Sequence, residues 1–71
     1  MQLANDKFAA EMRAQIARKQ LSSKELAANL GMSYATLNRL LSGKQNWSLD
    51  QATRAALLIG LNLSEFWRQS A

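Results

Sequence analysis

The chain has 71 residues, nine basic and five acidic side chains for a net charge of +4, and neither cysteine nor histidine. These absences exclude a disulfide framework and remove the commonest metal ligand and the commonest general base at neutral pH, so we expect no metal, no cofactor, no small-molecule substrate and no enzyme. The lack of proline and the abundance of alanine and leucine favour an all-α fold in one domain spanning residues 1–71.

The sequence carries no recognisable targeting segment. No apolar run approaches about 18 residues, the length that suggests a membrane span, and the N-terminus lacks the basic and apolar blocks of a secretory signal. We therefore expect a cytoplasmic protein that does not contact membranes.

The first helix is predicted to follow a loose arm. Residues 1–4 carry neither a helix cap nor an apolar period, whereas Asn5 or the residue after it can begin a helix. Phe8, Met12 and Ile16 then recur every four residues, which puts them along one helical face. We expect this stripe to form part of the core.

Two short helical patterns meet at Gly31 with almost no connecting loop. Ser22 and Glu25 have the spacing of a capping box, which predicts the start of a second helix, and Gly31 can take the positive φ that ends it. Ser33 can cap a third helix that ends at Gly43. The apolar positions of the two helices are Leu26, Ala27, Leu30, Leu37, Leu40 and Leu41. This is the outline of a helix-turn-helix unit, whose second helix enters the DNA major groove.

Positive charge is concentrated around this helix pair. Between residues 13 and 44 the only acidic residue is Glu25. The basic residues of that span are Arg13, Arg18, Lys19, Lys24, Arg39 and Lys44. Such a field attracts polyanions, of which nucleic acid is the commonest in a cytoplasm. The alternative is a solvated basic surface with no specific partner.

Two further helices are predicted after the hairpin, which makes five in total. Ser48 begins a second capping box, and its helix runs to Gly60. Asn62 begins a third box and a short final helix. The apolar positions of these helices are Leu49, Ala52, Ala56 and Ile59, then Leu63, Phe66 and Trp67.

The pattern of caps, glycines and apolar stripes over residues 8–67 resembles the lambda-repressor and Cro family of helix-turn-helix regulators, also called the XRE type. The residues that carry the resemblance are Arg13, Ile16, Leu21, Ser22, Glu25, Leu26, Ala27, Gly31, Met32, Ser33, Thr36, Leu37, Arg39, Ser42, Gly43, Lys44, Ser48, Leu49 and residues 61–66. The resemblance implies a compact five-helix DNA-binding domain that binds double-stranded DNA.

Carried over from the family, the recognition helix corresponds to residues 33–42. The residues implied to face base edges are Tyr34, Ala35, Thr36, Asn38 and Arg39. Asn38 suits an adenine edge, Arg39 a guanine or a phosphate, and the methyl groups of Ala35 and Thr36 the thymine methyl. The alternatives are that Thr36 only fills the helix surface and that Tyr34 is a partly packed ring.

Phosphate contacts are expected at helix N-termini and in the loop after the third helix, because backbone N–H groups and helix dipoles attract anions there. The candidates are Ser23, Lys24, Ser33, Ser42, Lys44, Gln45 and Asn46. Lys44 matches the family's common Ser-Gly-Lys position and is the strongest of them.

Three positions depart from the family pattern. Ser23 stands where glutamine is frequent, and it is too short to brace a recognition side chain while it contacts a phosphate, so we expect no such brace from it. Gln20 stands where glycine is frequent, so the turn before Leu21 is expected to be strained or differently shaped. Trp47 stands where proline is common, and the sequence leaves open whether it packs inward or lies against the DNA backbone.

Leu57 and Leu58 lie off the apolar stripe of the fourth helix, where the family usually has small or polar residues. With Trp67 they are expected to form an exposed apolar patch for a two-fold dimer or a second regulatory protein. The alternative is that the last helix folds back and covers them.

These observations predict a sequence-specific transcriptional regulator, a phage- or prophage-type repressor of the Cro/C1 kind, in a bacterial or phage-infected cell, associated with the nucleoid when bound. The alternative is an antirepressor or antitoxin that uses the same fold to bind a protein.

Overall fold

The computed structural model describes residues 2–68. Its elements are strand β1 (Gln2–Leu3), helices α1 (Asn5–Lys19), α2 (Ser23–Leu30), α3 (Tyr34–Ser42) and α4 (Leu49–Ile59), a 3₁₀ turn (Leu63–Phe66) and strand β2 (Trp67–Arg68). The fold is therefore mostly helical, as predicted, although residues 2–68 contain four α-helices and not five. None of these helices is long and apolar enough to cross a membrane.

Serine side chains begin three of the helices, as the sequence predicts. The hydroxyl oxygen of Ser22 accepts from the N–H of Glu25 at 3.3 Å, and that of Ser33 from the N–H of Thr36 at 3.1 Å. Ser48 forms a complete capping box, because Gln51 also accepts from its N–H at 3.0 Å. Each cap satisfies a backbone donor that the first helical turn leaves without a partner.

The core lies where α1 meets the helix pair and α4. Phe8 and Met12 of the predicted stripe are fully buried, whereas Ile16 is only partly buried against the same cluster. The other members of the core cluster are Leu26, Ala27, Leu30, Leu37, Leu40, Leu41, Trp47, Ala52, Ala55, Ala56 and Ile59. This core packs α2 and α3 against α1 and α4, and so fixes which face of each helix is left exposed.

Trp47 packs inward, which answers the question that the sequence left open. Only 4% of its surface is exposed, and its ring meets that of Phe8 edge to face at a centroid distance of 5.0 Å. The side-chain oxygen of Asn5 accepts from its backbone N–H at 2.6 Å. The loop before α4 is thus tied to the first turn of α1.

The expected fifth helix is a single 3₁₀ turn. The Asn62 side chain accepts from the N–H of Ser64 at 3.1 Å, and the N–H of Glu65 reaches the Asn62 carbonyl at 3.1 Å, the shorter spacing of a 3₁₀ helix. The backbone then becomes extended at Trp67, so the residue predicted on a helix lies on a strand.

The N-terminus is not a loose arm over residues 2–4. Leu3 pairs with Trp67 in an antiparallel ladder, and the N–H of Ala4 donates to the Phe66 carbonyl at 2.7 Å. Phe66 also meets the Phe8 ring at a centroid distance of 5.4 Å. These contacts end the last helical turn, because the backbone groups that would continue it bond to the N-terminal strand. Residue 1 lies outside the described residues.

Leu49, predicted on the buried face of α4, is 57% exposed. Ala55, which was not in the predicted set, is fully buried together with Ala52. The buried face of α4 is therefore rotated toward Ala55 relative to the predicted face. With about 100° between successive helical residues, this rotation leaves Leu49 beyond the edge of the buried face.

Candidate nucleic-acid interface

The turn between α2 and α3 contains only residues 31–33. Gly31 has φ +71°, a left-handed conformation that ends α2, and the Met32 N–H donates back to the Ala27 carbonyl at 3.0 Å. Ser33 then caps α3, so the chain starts the second helix without an intervening loop. This is the connection that the sequence predicts for the helix pair.

Helix α3 has one buried and one exposed face. Leu37, Leu40 and Leu41 are buried in the core. The exposed residues are Tyr34, Ala35, Asn38, Arg39 and Ser42, and Thr36 is partly buried. Because residues four apart in a helix lie above one another, these exposed side chains form one continuous surface along α3. The predicted base-facing residues are thus brought together on a surface that a groove can receive.

A chain of hydrogen bonds runs along this surface. The Ser33 hydroxyl donates to the Thr36 hydroxyl oxygen at 2.9 Å, and the same oxygen accepts from Nη2 of Arg39 at 3.2 Å. Nε of Arg39 donates to the side-chain oxygen of Gln45 at 3.3 Å. The Thr36 hydroxyl therefore joins the helix cap to the guanidinium.

The loop after α3 folds back onto the Arg39 carbonyl. That oxygen accepts from the N–H groups of Lys44 at 3.0 Å and Gln45 at 3.2 Å, and from the Ser42 hydroxyl at 3.2 Å. Lys44 and Asn46 are exposed beside it. The phosphate candidates of the loop thus lie next to the C-terminal end of α3.

The charge at this surface is positive. No acidic residue occurs between Glu25 and Asp50, whereas Lys24, Arg39 and Lys44 are exposed. Two other basic residues near the hairpin in sequence have structural partners. The Arg13 guanidinium donates to the Leu41 carbonyl, and the Lys19 ammonium donates to the Ile59 carbonyl at 2.6 Å. Each places a positive charge at the C-terminal end of a helix, which the helix dipole favours.

The remaining phosphate candidates lie at helix starts. Ser23 and Lys24 form the first turn of α2, with Ser23 partly buried and Lys24 exposed. Ser33 is exposed, and its hydroxyl is engaged with Thr36.

A brace for a recognition side chain was not expected from Ser23 of α2. The brace that does exist holds Arg39, through hydrogen bonds of its guanidinium to Thr36 and Gln45. The three-residue spacing of Thr36 and Arg39 was the sequence signal for the first of these two bonds.

A second surface carries exposed apolar side chains. Leu57 is 78% and Leu58 52% exposed, so the described residues do not cover them. Leu58 also borders a shallow groove between α2 and α4. The groove is lined by Leu21, Ser22, Glu25, Leu26, Asn29, Leu58 and Ile59. Trp67 is partly buried on β2 opposite Leu3.

Two helices joined by a three-residue turn, with the second one exposing a polar and basic face, define a helix-turn-helix DNA-binding domain. The sequence profile of the Helix-turn-helix family matches residues 12–66, and the chain belongs to this family, in its lambda-repressor-like branch. The resemblance drawn from the sequence is therefore confirmed, and membership implies DNA binding. Comparison with curated proteins and with solved structures returned no match.

Proposed function

We propose that the protein is a sequence-specific transcriptional regulator that places α3 in the major groove of an operator. The observation that carries this proposal is the continuous exposed face of α3, which joins Tyr34, Ala35, Asn38 and Arg39 beside a loop without acidic residues. An exposed helix of this kind fits the width of the major groove of B-DNA.

In this proposal the base edges are contacted by Tyr34, Ala35, Thr36, Asn38 and Arg39. Asn38 can bond an adenine edge through two hydrogen bonds, and Ala35 and the Thr36 methyl group can meet thymine methyl groups. The Thr36 hydroxyl is already engaged within the protein, so its methyl group is the part left for a base. The exposure of Tyr34, Ala35, Asn38 and Arg39 supports their assignment.

The phosphates on either side of the groove are held by residues at the two helix starts and in the loop. These residues are Ser23, Lys24, Ser33, Ser42, Lys44, Gln45 and Asn46. The exposed Lys44 and Lys24 supply charge, and the first turns of α2 and α3 supply backbone N–H groups. Such contacts fix the register of the helix on the duplex.

The regulator acts as a repressor of the phage or prophage Cro/C1 type, located in the cytoplasm and on the nucleoid when bound. Occupation of the operator excludes polymerase sterically, so the domain needs no catalytic group. Each subunit occupies one half-site, and a dimer requires half-sites one helical turn apart.

Leu57 and Leu58 support a protein interface as well, because both lie exposed on α4. We infer a two-fold dimer, or a contact to a second regulatory protein, through this surface with Trp67. The same observation favours a second candidate function, an antirepressor or antitoxin in which the fold mainly binds a protein.

The test is a selection of binding sites from a random pool of duplexes, followed by affinity measurements on the selected site. A palindromic product is expected for a dimeric regulator. Arg39→Ala should cost about 1–3 kcal/mol on the selected sequence and much less on unrelated duplexes. Arg54→Ala, which removes the same charge from α4 where Arg54 pairs with Asp50 at 3.4 Å, is the matched control.

Weak and equal affinity for every duplex would contradict the regulator and leave the protein-binding function. A strong salt dependence without sequence preference would indicate binding to the phosphate backbone alone.

A further inference from the structure

Two side-chain hydrogen bonds restrain the guanidinium of Arg39. Its Nε donates to Gln45 and its Nη2 to Thr36, at 3.3 and 3.2 Å. Both bonds use the edge of the guanidinium formed by Nε and Nη2. A long side chain on an exposed helical face normally samples several rotamers, so two bonds on one edge are a specific restraint.

Each of the two acceptors is itself fixed. The N–H of Gln45 donates to the Arg39 carbonyl at 3.2 Å, which returns the loop to the helix and holds the Gln45 amide beside the guanidinium. The Thr36 hydroxyl oxygen also accepts from the Ser33 hydroxyl, the cap of α3. The brace is therefore built on the ends of the helix and not on mobile side chains alone.

The brace leaves a defined edge for a ligand. A guanidinium has five N–H donors in a planar fork, and two of them are used. Of the three others, two lie on Nη1 and one on Nη2, and no described residue accepts from them. Their parallel outer pair matches two acceptors side by side, the arrangement of O6 and N7 on the major-groove edge of guanine.

We propose that Thr36 and Gln45 are positioning residues that set Arg39 for end-on recognition of a guanine in each operator half-site. The proposal rests on the proposed DNA-binding function and deepens it. Arg39 lies four residues after Ala35 on the exposed face of α3, hence in the row predicted to meet base edges. The side-chain oxygen of Gln45 acts through Arg39, and its amide NH2 group is the part left to hold a phosphate.

The test starts from the site selected from the random pool. Arg39→Ala first identifies the base-pair position at which the sequence preference is lost. Affinity is then measured for four duplexes that carry each of the four bases at that position. Near-isosteric pairs separate the acceptor from the shape of the side chain. Gln45→Met and Thr36→Val remove the acceptor, whereas Gln45→Glu and Thr36→Ser keep an oxygen within reach of the guanidinium. Thermal unfolding of each variant shows that it is folded.

We expect Gln45→Met and Thr36→Val each to lower the preference for guanine over the other bases by about two- to tenfold, the effect of releasing one ordered side chain. Gln45→Glu should keep the preference while its added negative charge weakens binding to all duplexes. Thr36→Ser should keep the preference as well. A purely structural role would lower affinity for the four duplexes together and leave their ratios unchanged.

Each other result has a distinct meaning. If the guanine preference depends on Arg39 but survives Gln45→Met and Thr36→Val, the brace is overturned and the regulator stands. If Arg39→Ala weakens every duplex equally and lowers the salt dependence by about one ion, Arg39 contacts a phosphate and the inference fails. If no sequence is enriched from the pool, the proposed function fails, and the inference fails with it.

Discussion

Gln20→Gly is expected to stabilise the protein. Gln20 follows the last residue of α1 with φ +54° and ψ +46°, and no other non-glycine residue of the described chain has positive φ. The left-handed conformation costs a residue with a Cβ about 1–2 kcal/mol, whereas glycine costs about 0.5–1 kcal/mol in backbone entropy. The middle of the difference between these two ranges is a net gain of about 0.5–1 kcal/mol. This gain would explain by conformational stability why glycine is common in the family at this turn.

For a domain of this size each kcal/mol raises the melting temperature by about 4–8 °C, so Gln20→Gly should raise it by about 2–8 °C. Thermal unfolding followed by far-ultraviolet circular dichroism measures this shift. Gln20→Ala is the control for the side chain, which is exposed and makes no hydrogen bond to the described residues, and should change the melting temperature little.

Gly31→Ala provides the opposite perturbation. Gly31 has φ +71°, and a Cβ added there would meet no atom within 4 Å, so its effect isolates the backbone conformation. It should lower the melting temperature by an amount similar to the gain at Gln20. An unchanged or lower value for Gln20→Gly, combined with the expected loss for Gly31→Ala, would refute the argument that Gln20 is strained.

Three further predictions concern charge and association. Lys44→Ala should weaken binding to every duplex to the same degree and lower the slope of log affinity against log salt by about 0.9. Fluorescence anisotropy at several salt concentrations measures both effects. Unequal losses between duplexes would contradict a phosphate contact. Sedimentation at micromolar concentration should show self-association of the wild type and a monomer for Leu58→Glu, whereas two identical monomers would refute the apolar interface. Lys19→Met should lower the free energy of unfolding in urea by about 1 kcal/mol, because the Ile59 carbonyl at the end of α4 loses a charged donor. The control Lys7→Met, at an exposed residue of α1, should change this free energy by less than about 0.5 kcal/mol.

Much of the candidate interface could be predicted because it depends on short-range patterns. The spacing of Leu37, Leu40 and Leu41 determines which side of α3 is buried, and hence which side is exposed. The role of Gln45 could not be predicted in this way. It depends on how the loop after α3 returns to the Arg39 carbonyl, and the residue type alone is equally suited to a phosphate.

By itself, the sequence determined the starts of α2, α3 and α4, the turn at Gly31 and the family, because caps, glycine conformations and helical periods involve residues only a few positions apart. The tertiary structure alone decided the conformation of residues 2–4 and 63–68 and the place of Trp47. Trp47 packs inward because its ring contacts that of Phe8 and its backbone N–H donates to the Asn5 side chain, 39 and 42 positions away in the sequence. The last helix is replaced by a 3₁₀ turn and a strand because residues 2–4 supply backbone partners there. Such long-range pairings leave no periodic signal in the segments that form them, and the contacts that result outweigh local helix propensity.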